Sequence, residues 1–348
     1  MAGGMDEMTD RETPIVILGI ESSCDETAAA VLVDGVLRSN IVAGQDVHQT
    51  WGGVVPELAS RAHQEHIVPV VDRALMEAGI TKDELSAIAF TRGPGLIGAL
   101  LVGTCFARSM AQALKIPLIA VDHMQAHILA HFITDDRPRP VPRFPFINLT
   151  VSGGHTQLVL VRSPLEMEMI GRTLDDAAGE TFDKGAKILG LPYPGGPLID
   201  RSSKGGDPRK FKLPIPQIAE LDMSFSGVKT AFRELVQRGI QADPSFIENE
   251  LPHLCASLQQ NIIDILLRKL HKAARKHGIA RIAMSGGVSA NSALREQIVA
   301  LGVREGWEVF IPPFAYCTDN GAMIAMAGHF MYKEERFAAL DTVPVARW

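Results

Sequence analysis

The chain has 348 residues, 46% hydrophobic and 21% charged, with a net charge of −6 at neutral pH. That size and balance suit about two globular domains with a core that needs no staples, and the scattered Cys24, Cys105, Cys255 and Cys317 fit a reducing compartment. The acidic balance lends no support to nucleic-acid binding by bulk charge, so a polyanionic partner would need a local basic patch or a second subunit.

Residues 1–13 read as a loose, polar tail without the apolar run of a signal peptide. The longest apolar stretch, Gly95–Ala107, is shorter than the ~20 residues a membrane span needs, so the reading is a cytoplasmic protein with no membrane partner. Ile15–Ile20 (IVILGI) has strand length, Glu21–Glu26 (ESSCDE) is a polar turn, and Thr27–Val33 (TAAAVLV) is a second strand. Ala87–Thr91 (AIAFT) is a strand that runs into the glycine-rich Arg92–Gly98 and a helix to Leu114. Ile116–Val121 is a strand leading into DHMQAHILAHF.

The same order then repeats. FINLTV and QLVLV flank SGGHT at Phe146–Val161; Ile279–Met284 leads through Ser285–Gly287 to a helix expected over about Ser289–Leu301; Trp307–Pro312 leads into TDNGAMIAMAGHF. A repeated strand pair, strand–glycine loop–helix and strand–helix predicts two related α/β lobes. The first lobe is expected over residues 14–136 plus 325–348 and the second over 137–324. A mainly helical insertion is expected at about 164–254.

Several side chains in this plan can carry chemistry. His123 and His127 lie four apart on a helix, so both imidazoles project from one face, and neutral imidazole suits Zn and Fe. The glutamate of the HExxH metalloprotease motif is absent. The duplicate position holds Asp319, and if the halves face each other it completes a two-His, one-carboxylate set. His131 reads as a separate helical histidine. Ser152–Thr156 and Ser285–Asn291 are glycine-containing tips after strands whose amides suit an anion or nucleotide. Asp25 and Glu26 occupy the opposing tip. Asp183 and Asp200, near Gly195–Gly196, read as helix-surface acids or as a ribose or hydroxyl contact. Two basic clusters, at 201–212 and 268–276, read as solvated faces.

Together these motifs resemble a known family. ESSCDET, GGVVPELASRAH (Gly52–His63), RGPGLIGALLVG (Arg92–Gly103), HMQAH, VSGGHT, MSFSGVKT (Met223–Thr230), SGGVSAN and TDNGAMIA look like the bacterial tRNA adenosine threonylcarbamoyltransferases, formerly described as glycoproteases or sialoglycoprotein endopeptidases. The resemblance spans about Ile15 to Met331. It implies the duplicated fold of acetate and sugar kinases, heat-shock 70 proteins and actin. It implies transfer of a threonylcarbamoyl group from threonylcarbamoyl-adenylate to N6 of adenosine 37 in tRNAs that read codons beginning with A, with release of AMP.

Carried onto this chain, the resemblance implies that His123, His127 and Asp319 hold one divalent ion, Fe2+ or Zn2+. It implies that Thr150, Val151, Ser152, Gly153, Gly154, Asp183, Gly196, Asp200 and Asn291 line the adenylate site. It further implies a paralogous two-lobed partner subunit and a small P-loop ATPase. Asp25, Glu26 and His155 are the candidate proton acceptors. The competing reading is a small-molecule phosphotransferase or ATPase on the same fold.

Overall fold

The computed structural model describes residues 13–45 and 53–347. All but the last residue of the expected tail, and Gly52 of the GGVVPELASRAH stretch, lie outside them. The chain builds two five-stranded sheets. The first comprises β1 (Val16–Glu21), β2 (Thr27–Val33), β3 (Val36–Ala43), β4 (Ala87–Gly93) and β5 (Leu118–Asp122), in the order β3-β2-β1-β4-β5. The second comprises β6 (Phe146–Val151), β7 (Thr156–Ser163), β8 (Glu166–Arg172), β9 (Arg281–Ser285) and β10 (Glu308–Phe310), in the order β10-β9-β6-β7-β8. In each sheet the first three strands are antiparallel and the last two run parallel to the first. The duplication is therefore one of topology, strand for strand.

Two of these strands depart from the sequence expectation. Each strand pair is a three-stranded meander, because β3 and β8 follow the pairs directly. Glu166–Arg172 therefore belongs to the sheet, and the segment without a counterpart begins after it. Both strands lie at a sheet edge and carry mixed exposure along their length, so they lack the buried apolar run that marks β1, β2, β6 and β7. The helix expected from Ser289 instead opens with a 3-10 turn at Gly287–Ala290.

Helices α1 (Pro56–Ala78) and α2 (Ile97–Leu114) cover the first sheet. Pro56 in the first turn and a left-handed Gly79 at the end frame α1. Among the described residues α2 alone has the length and apolar composition of a membrane span; its buried face packs on α1 and β4. Two short helices, α4 (Ala178–Ile188) and α5 (Gly195–Ser202), join α6 (Ser226–Ala242) and the long α7 (Phe246–His277) in a helical layer on the second sheet. Several basic residues of this region are engaged. Arg209 pairs with Asp264, Lys210 with Glu250, and the buried Lys269 donates to the carbonyls of Ile218 and Glu220.

Helix α8 (Ser292–Glu305) follows β9. Two further helices join the halves: α3 (His123–Leu129) follows β5 and touches both sheets, and α9 (Gly321–Lys333) follows β10 but lies on the first sheet. A Cβ on Gly19 of β1 would sit 2.3 Å from the Ala325 amide nitrogen, and one on Gly321 would sit 2.5 Å from the Ala29 carbonyl carbon. Only glycine permits that approach, and it brings the start of α9 close to the start of α3.

Candidate functional site

The ligand candidates arise from helix starts. Asp122 caps α3, accepting from the Gln125 amide, and Asn320 caps α9, accepting from Met323. These equivalent caps place His123, His127 and Asp319 together. His127 Nε2 lies 3.1 Å and His123 Nε2 lies 3.5 Å from the same oxygen, Asp319 Oδ1. One ligand atom from each residue falls within 4.8 Å of the others. The rings stand nearly perpendicular with centroids 4.7 Å apart.

The donor set fits one divalent ion. His127 is fully buried, yet neither ring nitrogen makes an aligned hydrogen bond. A buried polar atom without a partner is costly, and here it is aimed at a carboxylate across the space an ion would fill. Two imidazoles and one carboxylate suit Zn2+ or Fe2+, with positions left open. Without an ion the charges adjust. Burial pushes the His123 pKa down, but Asp319 and Glu21 outweigh it and hold it at about 9. Burial likewise opposes ionisation of Asp319, and the charges of His123 and His127 hold it well below the usual range.

His131 stays apart from this set. Its Nε2 lies 3.1 Å from the Met284 carbonyl oxygen, and burial pushes its pKa down to about 4.

The tip between β1 and β2 carries Cys24, Asp25 and Glu26, all half-buried. Burial first, then Asp319 and Asp25, push Glu26 up to about 10. Burial and the Asp25 charge push the Cys24 thiol far above its ordinary range, which disfavours the thiolate. The loop is anchored from α1, where His63 Nδ1 lies 2.7 Å from Thr27 Oγ1 and Nε2 lies 3.0 Å from the Cys24 carbonyl oxygen.

The opposing tip is the turn at 152–155. The Ser152 amide donates to the His155 carbonyl, and the His155 amide donates to Ser152 Oγ. Gly153 and Gly154 are exposed, and a Cβ on either would meet nothing within 4 Å. Thr150 and Val151 are fully buried behind them, with Thr150 Oγ1 accepting from Asn148. Burial, then His123 and His127, push His155 down to about 4, so it is neutral and close to the ligand set.

The remaining candidates hold the walls. Asp183 accepts from the Gly195 and Gly196 amides at the start of α5. Asp200 accepts from the Ser292 amide and hydroxyl at the start of α8. Asn291 caps α8 and donates to Gln259. Gly179 sits against the Ser152 carbonyl, and Gly286, at φ 87°, sits against that of Val151. Across the gap, Asp25 acts electrostatically on Asp183 and on Tyr193. The two tips and the α4–α5 segment therefore face one space.

Two contributors were not singled out from the sequence. Tyr193 faces the acidic tip. Glu21, the last residue of β1, is fully buried and lies 3.1 Å from His123 Nδ1. A carboxylate ending an otherwise apolar, buried strand was the available signal, because a buried charge requires partners.

Comparisons with known proteins bear on the family and the fold. A family model described as tRNA N6-adenosine threonylcarbamoyltransferase matches residues 35–326. A protein of that name from Cytophaga hutchinsonii is 56% identical over 340 residues, covering 98% of each chain. Among solved structures, component A of the (R)-2-hydroxyglutaryl-CoA dehydratase of Acidaminococcus fermentans matches with a TM-score of 0.53 and 16% identity, over 92% of this chain and 99% of that one. A ROK hexokinase from Thermus thermophilus matches with a TM-score of 0.50 and 16% identity, over 92% and 100%. These structures share the duplicated sugar-kinase and actin type of fold.

Proposed function

The chain belongs to the tRNA N6-adenosine threonylcarbamoyltransferase family, and from that premise we propose how its residues divide the work. The enzyme transfers the threonylcarbamoyl group from threonylcarbamoyl-adenylate to N6 of adenosine 37 in tRNAs that read codons beginning with A, and AMP leaves. His123, His127 and Asp319 hold one divalent ion, Fe2+ or Zn2+. Gly153 and Gly154 take the adenylate phosphate on their amides, and Ser152 closes the turn that presents them. Thr150 and Val151 act from behind the tip, through the backbone they fix. Asp183, Gly196, Asp200 and Asn291 shape the nucleoside side by holding the starts of α5 and α8. What supports this division is the convergence of the buried ligand set and the exposed glycine tip on one space.

The adenine amine is a poor nucleophile because its lone pair is conjugated with the ring, so the site has to position it and receive its proton. Burial, then Asp319 and Asp25, favour the protonated form of Glu26, and an ion that neutralises Asp319 relieves part of that push. Asp25, Glu26 and His155 are the acceptors within the cleft. The bound ion supplies Lewis-acid polarisation of a substrate oxygen. The target base lies in a single-stranded loop, so its entry costs little unstacking. The phosphotransferase reading leaves the buried ligand set without a task.

A net charge of −6 suits an enzyme that grips tRNA with help. The partners are a paralogous two-lobed subunit and a small P-loop ATPase, and the setting is the cytoplasm. The test is nucleoside mass spectrometry of tRNA from cells depleted of the protein and rescued with wild type or His127→Ala. Only wild type is expected to restore threonylcarbamoyladenosine. Persistence of the nucleoside through full depletion overturns the assignment. Full rescue by His127→Ala overturns the ligand role.

A further inference from the structure

We infer that Glu21 is a positioning residue: its buried carboxyl holds the Nδ1 proton of His123 and so turns Nε2 toward the ion site. The inference rests on the ligand role proposed above and adds a residue that the metal set alone does not include.

The geometry of the carboxyl is over-determined. Oε2 lies 3.1 Å from His123 Nδ1 and accepts from the Thr91 hydroxyl at 2.6 Å. Oε1 accepts from the Ser23 amide. Glu21 has no exposed surface, and the His123 side chain has 8%. With the Thr91 proton already on Oε2, that oxygen meets Nδ1 as an acceptor, so Nδ1 carries the hydrogen and donates. The lone pair for an ion then belongs to Nε2, the nitrogen that faces Asp319 Oδ1. A ligating imidazole is commonly set in this way by a carboxylate on its other nitrogen. Among the described residues His127, by contrast, has no such partner on Nδ1, so Glu21 defines one of the two rings.

The surroundings of Glu21 explain motifs that the ligand set leaves idle. The Leu96 amide donates to the Ser23 carbonyl. A Cβ on Gly95 would lie 2.5 Å from that carbonyl oxygen, and one on Gly103 would lie 2.2 Å from Ser22 Oγ. Gly95 and Gly103 of RGPGLIGALLVG thus let α2 and its leading loop clamp Ser22–Ser23, whose backbone in turn holds Oε1. Thr91, at the end of β4, holds Oε2. Three stretches of sequence converge on one carboxyl.

The substitution Glu21→Gln separates positioning from bulk. The amide keeps the shape but has one acceptor and one donor. With its oxygen toward Thr91 and His123, its NH2 opposes the Ser23 amide. Turned over, its NH2 faces Nδ1 and forces the imidazole hydrogen onto Nε2. In the first orientation Nδ1 keeps an acceptor while the Ser23 amide pushes the side chain out of place, and in the second the imidazole presents the wrong nitrogen.

The test is Co2+ titration of the metal-stripped full-length protein, read by visible absorption, on wild type, Glu21→Gln and Thr91→Val. Folding of each is checked by circular dichroism. Loss of a carboxylate behind a ligating histidine commonly weakens binding by ~10–100-fold. Glu21→Gln is expected to fall in that range with an altered cobalt spectrum, and Thr91→Val to lose less. Wild-type affinity and spectrum in a folded Glu21→Gln overturn the proposal while leaving the ligand set intact. If Glu21→Gln does not fold, wild-type affinity and spectrum in Thr91→Val overturn it. Failure of the wild type to bind Co2+ overturns the ligand reading and this inference with it.

Discussion

At the scale of single residues, hydrogen-bonded histidines matter as much as the ligating ones. His63 has no exposed surface and bridges Thr27 and the Cys24 carbonyl. Nε2 donates to the carbonyl, and in the neutral ring, which burial favours by lowering the pKa, Nδ1 accepts from the Thr27 hydroxyl. His63→Ala removes two hydrogen bonds, each worth about 0.5–1.5 kcal/mol net, and opens a cavity that adds about 1 kcal/mol. The expected loss is ~2–4 kcal/mol in urea unfolding, with a loosened acidic tip. An unchanged midpoint would show that α1 does not hold the loop. That His123 and His127 share a face was legible from spacing, since four residues on a helix bring two rings together, but spacing alone did not make them ligands. Asp319 was legible once the halves were aligned. Glu21 was not, because reading the acidic run ESSCDE as a turn hides that its first residue is the buried end of a strand. Asp200 and Asn291 came as adenylate-site candidates from the resemblance, and their part as helix anchors was not legible, since a cap depends on where the helix begins.

Among secondary-structure elements, α9 decides where Asp319 sits. It is apolar on nearly every face, its residues Gly321–His329 are all buried, and it lies across β1, β2 and β4. Contact is backbone to backbone at Gly19 and Gly321. Gly19→Ala puts a methyl 2.3 Å from the Ala325 amide nitrogen, and no rotamer relieves that clash. Overpacking of this kind costs about 1–3 kcal/mol. The helix has to lift, and Asp319, two residues before it, moves away from His123 and His127. The expected outcome is a lower melting temperature together with weaker Co2+ binding. A lower melting temperature with unchanged affinity would uncouple the helix from the site. Buried strands and glycine loops were legible as apolar runs and turn residues. The edge strands β3 and β8 were not, because their exposed faces leave no continuous run, although Glu166–Ile170 does alternate glutamate and methionine. That α9 leaves the second half to pack on the first was legible only as an expected boundary near 325, since the sequence shows its apolarity and not its target.

For the whole molecule, the question is what joins two sheets of the same design. His131 contributes at the junction. It follows α3 in a 3-10 turn and reaches Met284 of β9 and Asn148 of β6 while fully enclosed. Its folded pKa of about 4 lies below the ordinary value near 6.5. The unfolded chain therefore binds more protons between those values, and stability rises with pH across that window and is lost as pH falls through it. A shift of this size corresponds to about 3 kcal/mol at pH 4. His123 in the metal-free protein has the opposite sign: raised to about 9, it favours folding below 6.5 and loses that contribution between 6.5 and 9, outside the acid window. Carboxylates held low, such as Asp135 at about 2 beside Arg139, add losses at still lower pH that do not depend on His131. The discriminating variant is His131→Gln, whose amide can still donate to the Met284 carbonyl but does not titrate. Urea unfolding of the metal-stripped wild type is expected to lose ~2–3 kcal/mol more than the variant between pH 7 and pH 4.5. Parallel losses in the two proteins would mean that this histidine does not make the junction of the halves acid-sensitive.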